Sequence, residues 1–152
     1  MRLKEKKGFS LVEVVIGTGI LAFVLVGILG TYIACLLLIT SSKNVNAATN
    51  AAQGIIEEIR STPFTQIISN YNGMVFTVDD LPSSIGVVYI SNSTPPANAD
   101  LLLATVSICW RQGNKVIGED VNLNGVLDTG EDINGNGIID STVQLKTLVV
   151  RG

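Results

Sequence analysis

Residues 118 to 140 read GEDVNLNGVLDTGEDINGNGIID, a tract in which oxygen-bearing side chains recur at alternate positions. From Asp120 onward it fits the pattern D-x-[DN]-x-[DN]-G-x₅-E, with Asp120, Asn122, Asn124, Gly125 at the turn, Val126 through its backbone carbonyl, Asp128 and Glu131. Hard oxygen donors spaced around a glycine turn are what Ca²⁺ needs for its six to eight ligands, and a bidentate carboxylate closes the shell. A copy begins twelve residues on, at Asp132, Asn134, Asn136, Gly137, Ile138 and Asp140. Val143 stands where its closing carboxylate belongs, so the second loop reads as incomplete. These residue types also favour turns without any metal. A full loop followed by a near-repeat favours the metal.

The loop resembles an EF-hand in ligand spacing only. No amphipathic helices flank it, so a sensor that opens a helix pair is not expected. The expected role is structural, with calcium replacing a core that a polar loop cannot build. Other chemistry finds little support. The chain has no histidine, no nucleophile elbow and no phosphate-cradling glycine loop, and the calcium pattern accounts for the carboxylates. An enzyme is not expected.

The tract lies between segments that read as strands: 74–78, 85–91, 101–111 and 142–150 are β-branched and apolar runs bounded by turn residues. Segment 91–100 is a loop by composition. In 101–111, Leu102, Ala104, Val106, Ile108 and Trp110 share one face, while Thr105, Ser107, Cys109 and Arg111 share another that should be solvated. Such a sheet needs one cover. Val45, Ala48, Ala52, Ile55, Ile56 and Ile59 recur at steps of three and four and form the apolar stripe of a helix that supplies it. That helix should end near Ser61, because Thr62 precedes Pro63. Cys35 and Cys109 fall on different elements, so two free thiols are expected.

Upstream, the run from Phe9 to Ile39 carries Glu13 as its one charge. It explains how a chain with so few aromatics reaches 47% hydrophobic residues. Roughly 20 apolar residues span a bilayer as a helix, so the run is long enough. Arg2, Lys4, Lys6 and Lys7 precede it and hold that end in the cytoplasm. A secretory signal would be shorter, with a small-residue cleavage site after its apolar stretch. Here the small residue at the border, Gly8, comes before the stretch. Cleavage there would leave the span on the product.

The sequence KKGFSLVEVVIG resembles the class III leader junction of type IV prepilins and type II secretion pseudopilins: a basic leader, Gly8, the aromatic Phe9, and Glu13 inside the apolar helix. The resemblance implies that a prepilin peptidase cuts between Gly8 and Phe9 and N-methylates Phe9. It also implies assembly with other pilin subunits through an inner-membrane platform. Many pilins break this helix with a proline. Here Gly30 stands at about that place, with Gly27 one turn earlier. The pairing of VSICWRQGNKV with VQLKTLVVR resembles the C-terminal hairpin of minor subunits. A carboxylate in hydrocarbon costs a few kcal/mol. Glu13 either snorkels to the headgroups or pairs with the freed α-amino group of Phe9 on a neighbouring subunit, which would set axial register.

The expected fold is α+β and pilin-like: a long N-terminal helix, half transmembrane and half amphipathic, packed on a small antiparallel sheet. Its parts are a leader 1–8, a filament-core helix 9–39, an amphipathic continuation 40–62, and a β-rich head 63–152 with a calcium-type loop 119–141. From Phe9 the helix would run about 80 Å at 1.5 Å per residue. After cleavage Lys43, Arg60, Arg111, Lys115, Lys146 and Arg151 face a clear excess of acidic groups, which argues against a nucleic-acid partner. Two functions fit: a filament subunit, minor pilin or pseudopilin, passing from inner membrane to an extracellular or periplasmic filament, or a monomeric membrane-anchored calcium-binding adhesive module. A plain anchor needs neither Gly8 nor Glu13, which favours the first.

Overall fold

The computed structural model describes residues 8–81, 83–92 and 100–151. Most of the expected leader and most of loop 91–100 lie outside the described residues. The chain divides into two units, one up to Thr40 and one from Ser41.

Helix α1, Leu11–Ser61, begins two residues after Phe9 and ends where Thr62–Pro63 predicts. Its portion up to Thr40 makes up the first unit and is apolar enough, and long enough, to cross a membrane. Every described residue there is exposed. Its threonines spend their hydroxyls on the helix itself. Thr18 Oγ1 donates to the Val15 carbonyl at 3.0 Å, Thr31 to Gly27 at 2.9 Å and Thr40 to Leu36 at 3.0 Å. Each hydroxyl thereby has its partner within its own helix. Gly27 and Gly30 do not interrupt the helix.

In the second unit, the rest of α1 buries Ala48, Ala52, Ile56 and Ile59, with Val45 and Ile55 beside them, as the stripe predicts. Two alanines in that row leave room for close approach to a sheet. A second helix, α2 (Phe64–Tyr71), follows Pro63. The sequence reading missed it, although Phe64, Ile67, Ile68 and Tyr71 keep helical spacing. Ile67 and Tyr71 are buried, and Tyr71 Oη donates to Glu58 Oε1 at 3.0 Å, tying α2 to α1.

Five strands form one antiparallel sheet: β1 (Val75–Phe76), β2 (Ser84–Asn92), β3 (Leu101–Gln112), β4 (Lys115–Ile117) and β5 (Val143–Val150). Their order is β1-β2-β3, and the far edge of β3 is shared by β4 and β5. Ser107 pairs with Gln144 and Leu101 with Val150, so the expected pairing of 106–116 with 143–151 holds over 106–108 alone, while most of β5 pairs with 101–105 and residues 110–112 pair with β4. The run at 74–78 contributes only the two residues of β1. Gly113, at φ 61°, turns β3 into β4.

Leu102, Ala104, Val106, Ile108 and Trp110 face the helical stripe and form the main core with it. The other face of β3 departs from expectation. Thr105, Ser107 and Cys109 are buried, and only Arg111 is exposed. The tract between β4 and β5 folds back over that face, seating Ile139 on Val87 and Cys109 with Leu123 and Leu127 alongside. The approach is close. A Cβ added to Gly118 would lie 2.2 Å from Cys109 Sγ. Both cysteines are free, Cys35 exposed on α1 and Cys109 buried beneath the tract.

Candidate functional site

The tract from Gly118 to Ser141 has no helix or strand. Its order comes from carboxylates and amides accepting backbone N–H groups. In the first loop, Asp120 is fully buried; its Oδ1 accepts from the Asn124 N–H at 3.1 Å and its Oδ2 from the Gly125 N–H at 2.7 Å. Asn122 Oδ1 accepts from the Asn124 N–H and Asn124 Oδ1 from the Val126 N–H. Asn122 Nδ2 and Asn124 Nδ2 both donate to Asp128 Oδ2, at 2.7 and 2.9 Å. Glu131 closes the loop with both oxygens, Oε1 accepting from the Val121 N–H at 2.9 Å and Oε2 from the Asp128 N–H at 3.1 Å.

The second loop repeats these bonds. Asp132 Oδ1 accepts from the Asn136 N–H and its Oδ2 from the Gly137 N–H, both at 3.0 Å. Asn134 Oδ1 accepts from the Asn136 N–H, Asn136 Oδ1 from the Ile138 N–H, and both amide nitrogens donate to Asp140 Oδ2. Even the left-handed positions recur, Leu123 and Gly125 at φ 57° and 79° against Gly135 and Gly137 at 72° and 76°. Leu123 is the exception to glycine here, and its side chain packs in the small cluster under the tract.

The second loop is not open. Val143 turns inward as part of β5 and joins the main core. Glu119 takes the closing position instead, its Oε1 accepting from the Ile133 N–H at 3.3 Å and its Oε2 from the Asp140 N–H at 3.0 Å. These are the counterparts of Val121 and Asp128 in the first loop. The backbone matches too: Glu119 N donates to the Asp140 carbonyl at 2.8 Å and Glu131 N to the Asp128 carbonyl at 3.1 Å. Glu119 thus gives the second loop the closing hydrogen bonds that Val143 cannot. Glu119 escaped the sequence reading because it precedes the motif it does not serve, though the repeated Gly-Glu-Asp at 118–120 and 130–132 carried the signal.

Among the described residues no three carboxylate, thiol or imidazole groups gather on one point by themselves. A cation taken up by either loop would meet carboxylate and amide oxygens, which suit a hard ion and not a soft one. Glu119, Asp120 and Glu131 are buried, yet the one ion pair among the described residues is Arg151 with Asp100. Buried carboxylates ordinarily pair with a cation or coordinate one. Burial pushes the Asp140 carboxyl upward, but donors from Asn134, Gln144 and Asn136 and the charge of Lys146 outweigh it and hold its pKa below the usual range. Tyr89 was also missed: its Oη accepts from the Ile139 N–H at 3.0 Å, and burial, helped by nearby Cys109, Asp120 and Asp140, raises its pKa.

At the other end, Gly8 and Phe9 are exposed ahead of α1, and no neighbour crowds Gly8. Glu13 sits in the first turn of α1, where the positive end of the helix dipole favours a carboxylate. Comparison with known proteins bears on this end alone. Residues 3–29 match the family model described as the prokaryotic N-terminal methylation motif. No curated protein and no solved structure matches the chain. A leader of this kind implies processing by a prepilin peptidase and assembly with other pilins. Over residues 3–29 the chain carries the prokaryotic N-terminal methylation motif, the mark of a class III prepilin-type leader.

Proposed function

We propose that this protein is a structural subunit, a minor pilin or pseudopilin, of a type IV pilus-like or type II secretion filament. It is a building block and not a catalyst. The observation that carries the reading is the methylation motif at residues 3–29 running directly into an apolar helix with Glu13 in its first turn. Cleavage after Gly8 would free the Phe9 amine about one helical turn from Glu13, within reach of pairing between neighbouring subunits. The remainder of the chain then stays outside the cytoplasm.

The head is stabilised by Ca²⁺. Asp120, Asn122, Asn124, the Val126 carbonyl, Asp128 and Glu131 would hold one ion. Asp132, Asn134, Asn136, the Ile138 carbonyl, Asp140 and Glu119 would hold a second. The cations would add positive charge to six clustered carboxylates, beside which Lys146 acts on Asp140. Support comes from the matched bonding of the two loops and from buried carboxylates that form no ion pair among the described residues. The polar tract could then serve as the second cover of the sheet.

Shearing filaments from cells and probing both sheared and membrane fractions for this subunit tests the reading. Its recovery in the sheared fraction only when the prepilin peptidase is present is the expected result. Equal retention in the membrane with and without the peptidase would favour the monomeric anchored module.

A further inference from the structure

We propose that Asn134 is a site of spontaneous deamidation, the Asn-Gly step at which the fold leaves the glycine nitrogen free to attack, and that its conversion to aspartate or isoaspartate loosens the second loop from within. The chemistry is that of the chain and water, with no cation needed.

An asparagine followed by glycine is especially open to this reaction, because glycine has no side chain to obstruct ring closure. The sequence contains four such steps, Asn72–Gly73, Asn124–Gly125, Asn134–Gly135 and Asn136–Gly137. The glycine backbone nitrogen loses its proton and attacks the asparagine Cγ; the bond from Cγ to Nδ2 breaks and ammonia leaves. Water then opens the cyclic imide at either carbonyl. One product is aspartate, and the other is isoaspartate, in which the main chain runs through the former side chain. A nitrogen whose N–H is held in a hydrogen bond must first be released, so the fold decides which step reacts.

Three of the four nitrogens are held. Gly73 N donates to the Val88 carbonyl at 2.9 Å, Gly125 N to Asp120 Oδ2 at 2.7 Å and Gly137 N to Asp132 Oδ2 at 3.0 Å. Gly135 N has no acceptor among the described residues. Asn134 and Gly135 are both exposed to water, and no neighbour crowds Gly135. The Asn134 side chain arches over the Gly135 peptide, since its Oδ1 accepts from the Asn136 N–H one residue further on, at 3.0 Å. The first loop is an internal comparison. Asn122 Oδ1 accepts from the Asn124 N–H in the same way, but Leu123 stands at φ 57° where the second loop has Gly135 at φ 72°. A branched side chain obstructs the ring there, so two loops matched in bonding differ in this reaction.

The product changes what the second loop can hold. Asn134 Nδ2 and Asn136 Nδ2 both donate to Asp140 Oδ2. Deamidation replaces the first of these donors by a carboxylate oxygen and sets like charges against each other. Isoaspartate also adds a carbon to the main chain, which displaces the Asn136 and Gly137 N–H groups from Asp132.

The test incubates the full chain at mildly alkaline pH with EDTA, in detergent micelles and separately in denaturant. Peptide mass spectrometry follows each asparagine, and an isoaspartate-specific methyltransferase gives a second readout. In denaturant the four Asn-Gly steps should convert at similar rates. In the folded chain Asn134 should convert about tenfold or more faster than Asn72, Asn124 and Asn136, whose glycine N–H groups must open first. Leu123→Gly should confer the reaction on Asn122. Asn134 that stays intact while the denatured chain reacts would overturn the proposal, and so would Asn124 or Asn136 converting as fast as Asn134 in the folded chain. Loosening is read on Asn134→Asp by amide exchange. The Asn136 and Gly137 N–H groups should lose about tenfold or more of their protection, while their counterparts at Asn124 and Gly125 keep theirs. Unchanged protection in that variant would overturn the loosening.

Discussion

Glu119 and Glu131 stand in the same relation to opposite loops: each donates its backbone N–H to the ninth residue of a loop and accepts from that residue and from the second. The repeat is thus closed on itself, and the tract behaves as a pair of interlocked halves.

Calcium stabilisation should therefore depend on both glutamates. At a hundredfold excess over its dissociation constant, calcium raises stability by about 2.7 kcal/mol for one site. Glu119→Gln and Glu131→Gln should each remove most of the gain, and Asp140→Ala should cost about as much as Asp128→Ala. Thermal unfolding of the full chain in micelles, in EDTA and in calcium, measures this. A Glu119→Gln variant with undiminished calcium gain would contradict the closing role of Glu119.

Tyr89→Phe keeps the ring in place but leaves the Ile139 N–H without its acceptor. The expected loss is about 1–3 kcal/mol for a buried donor left unsatisfied, and amide exchange at Ile139 should accelerate. A loss confined to exposed loops elsewhere would count against this anchor.

Acid should weaken the tract through Asp140. Its pKa in the folded chain lies below the usual value of about 3.9. A lowered carboxylate pKa contributes stability at pH above the unfolded value, and that contribution disappears as pH falls through the folded one. In EDTA, Asp140→Asn should flatten the acid limb of the stability profile below about pH 4. An unchanged limb would assign acid sensitivity to other carboxylates.

The mature protein should begin at Phe9, N-methylated, when produced with a prepilin peptidase. Mass spectrometry of the N-terminal peptide reads this directly, and an intact Met1 terminus in such cells would refute the processing.

Glu13→Ala should leave membrane insertion intact, since it removes a charge from an apolar helix. Incorporation into filaments should fall. The ratio of sheared to membrane-bound subunit reports it, and an unchanged ratio would favour a plain anchor.

What the sequence determined by itself are features set by near neighbours along the chain. The Gly8–Phe9 border with Glu13, the uninterrupted apolar run, the stripe from Val45 to Ile59 and the helix end at Thr62–Pro63 are all local patterns, and α1 follows them. The spacing of the carboxylates and amides in both loops was legible for the same reason, because Asp120 and Asp132 each accept the N–H groups of the turn that follows them. Helix α2 was legible in principle from Phe64, Ile67, Ile68 and Tyr71 but is only two turns long. Tertiary structure decided the rest. Alternation in β3 predicts two faces but cannot say what covers each, so Thr105, Ser107 and Cys109 read as solvated until the tract is seen lying on them. Val143 could be a failed ligand or a core residue, and pairing with Ile108 in the sheet makes it the latter. Glu119 closes a loop that begins thirteen residues after it, because a carboxylate is recruited by the N–H groups that surround it in space and not by its place in the motif.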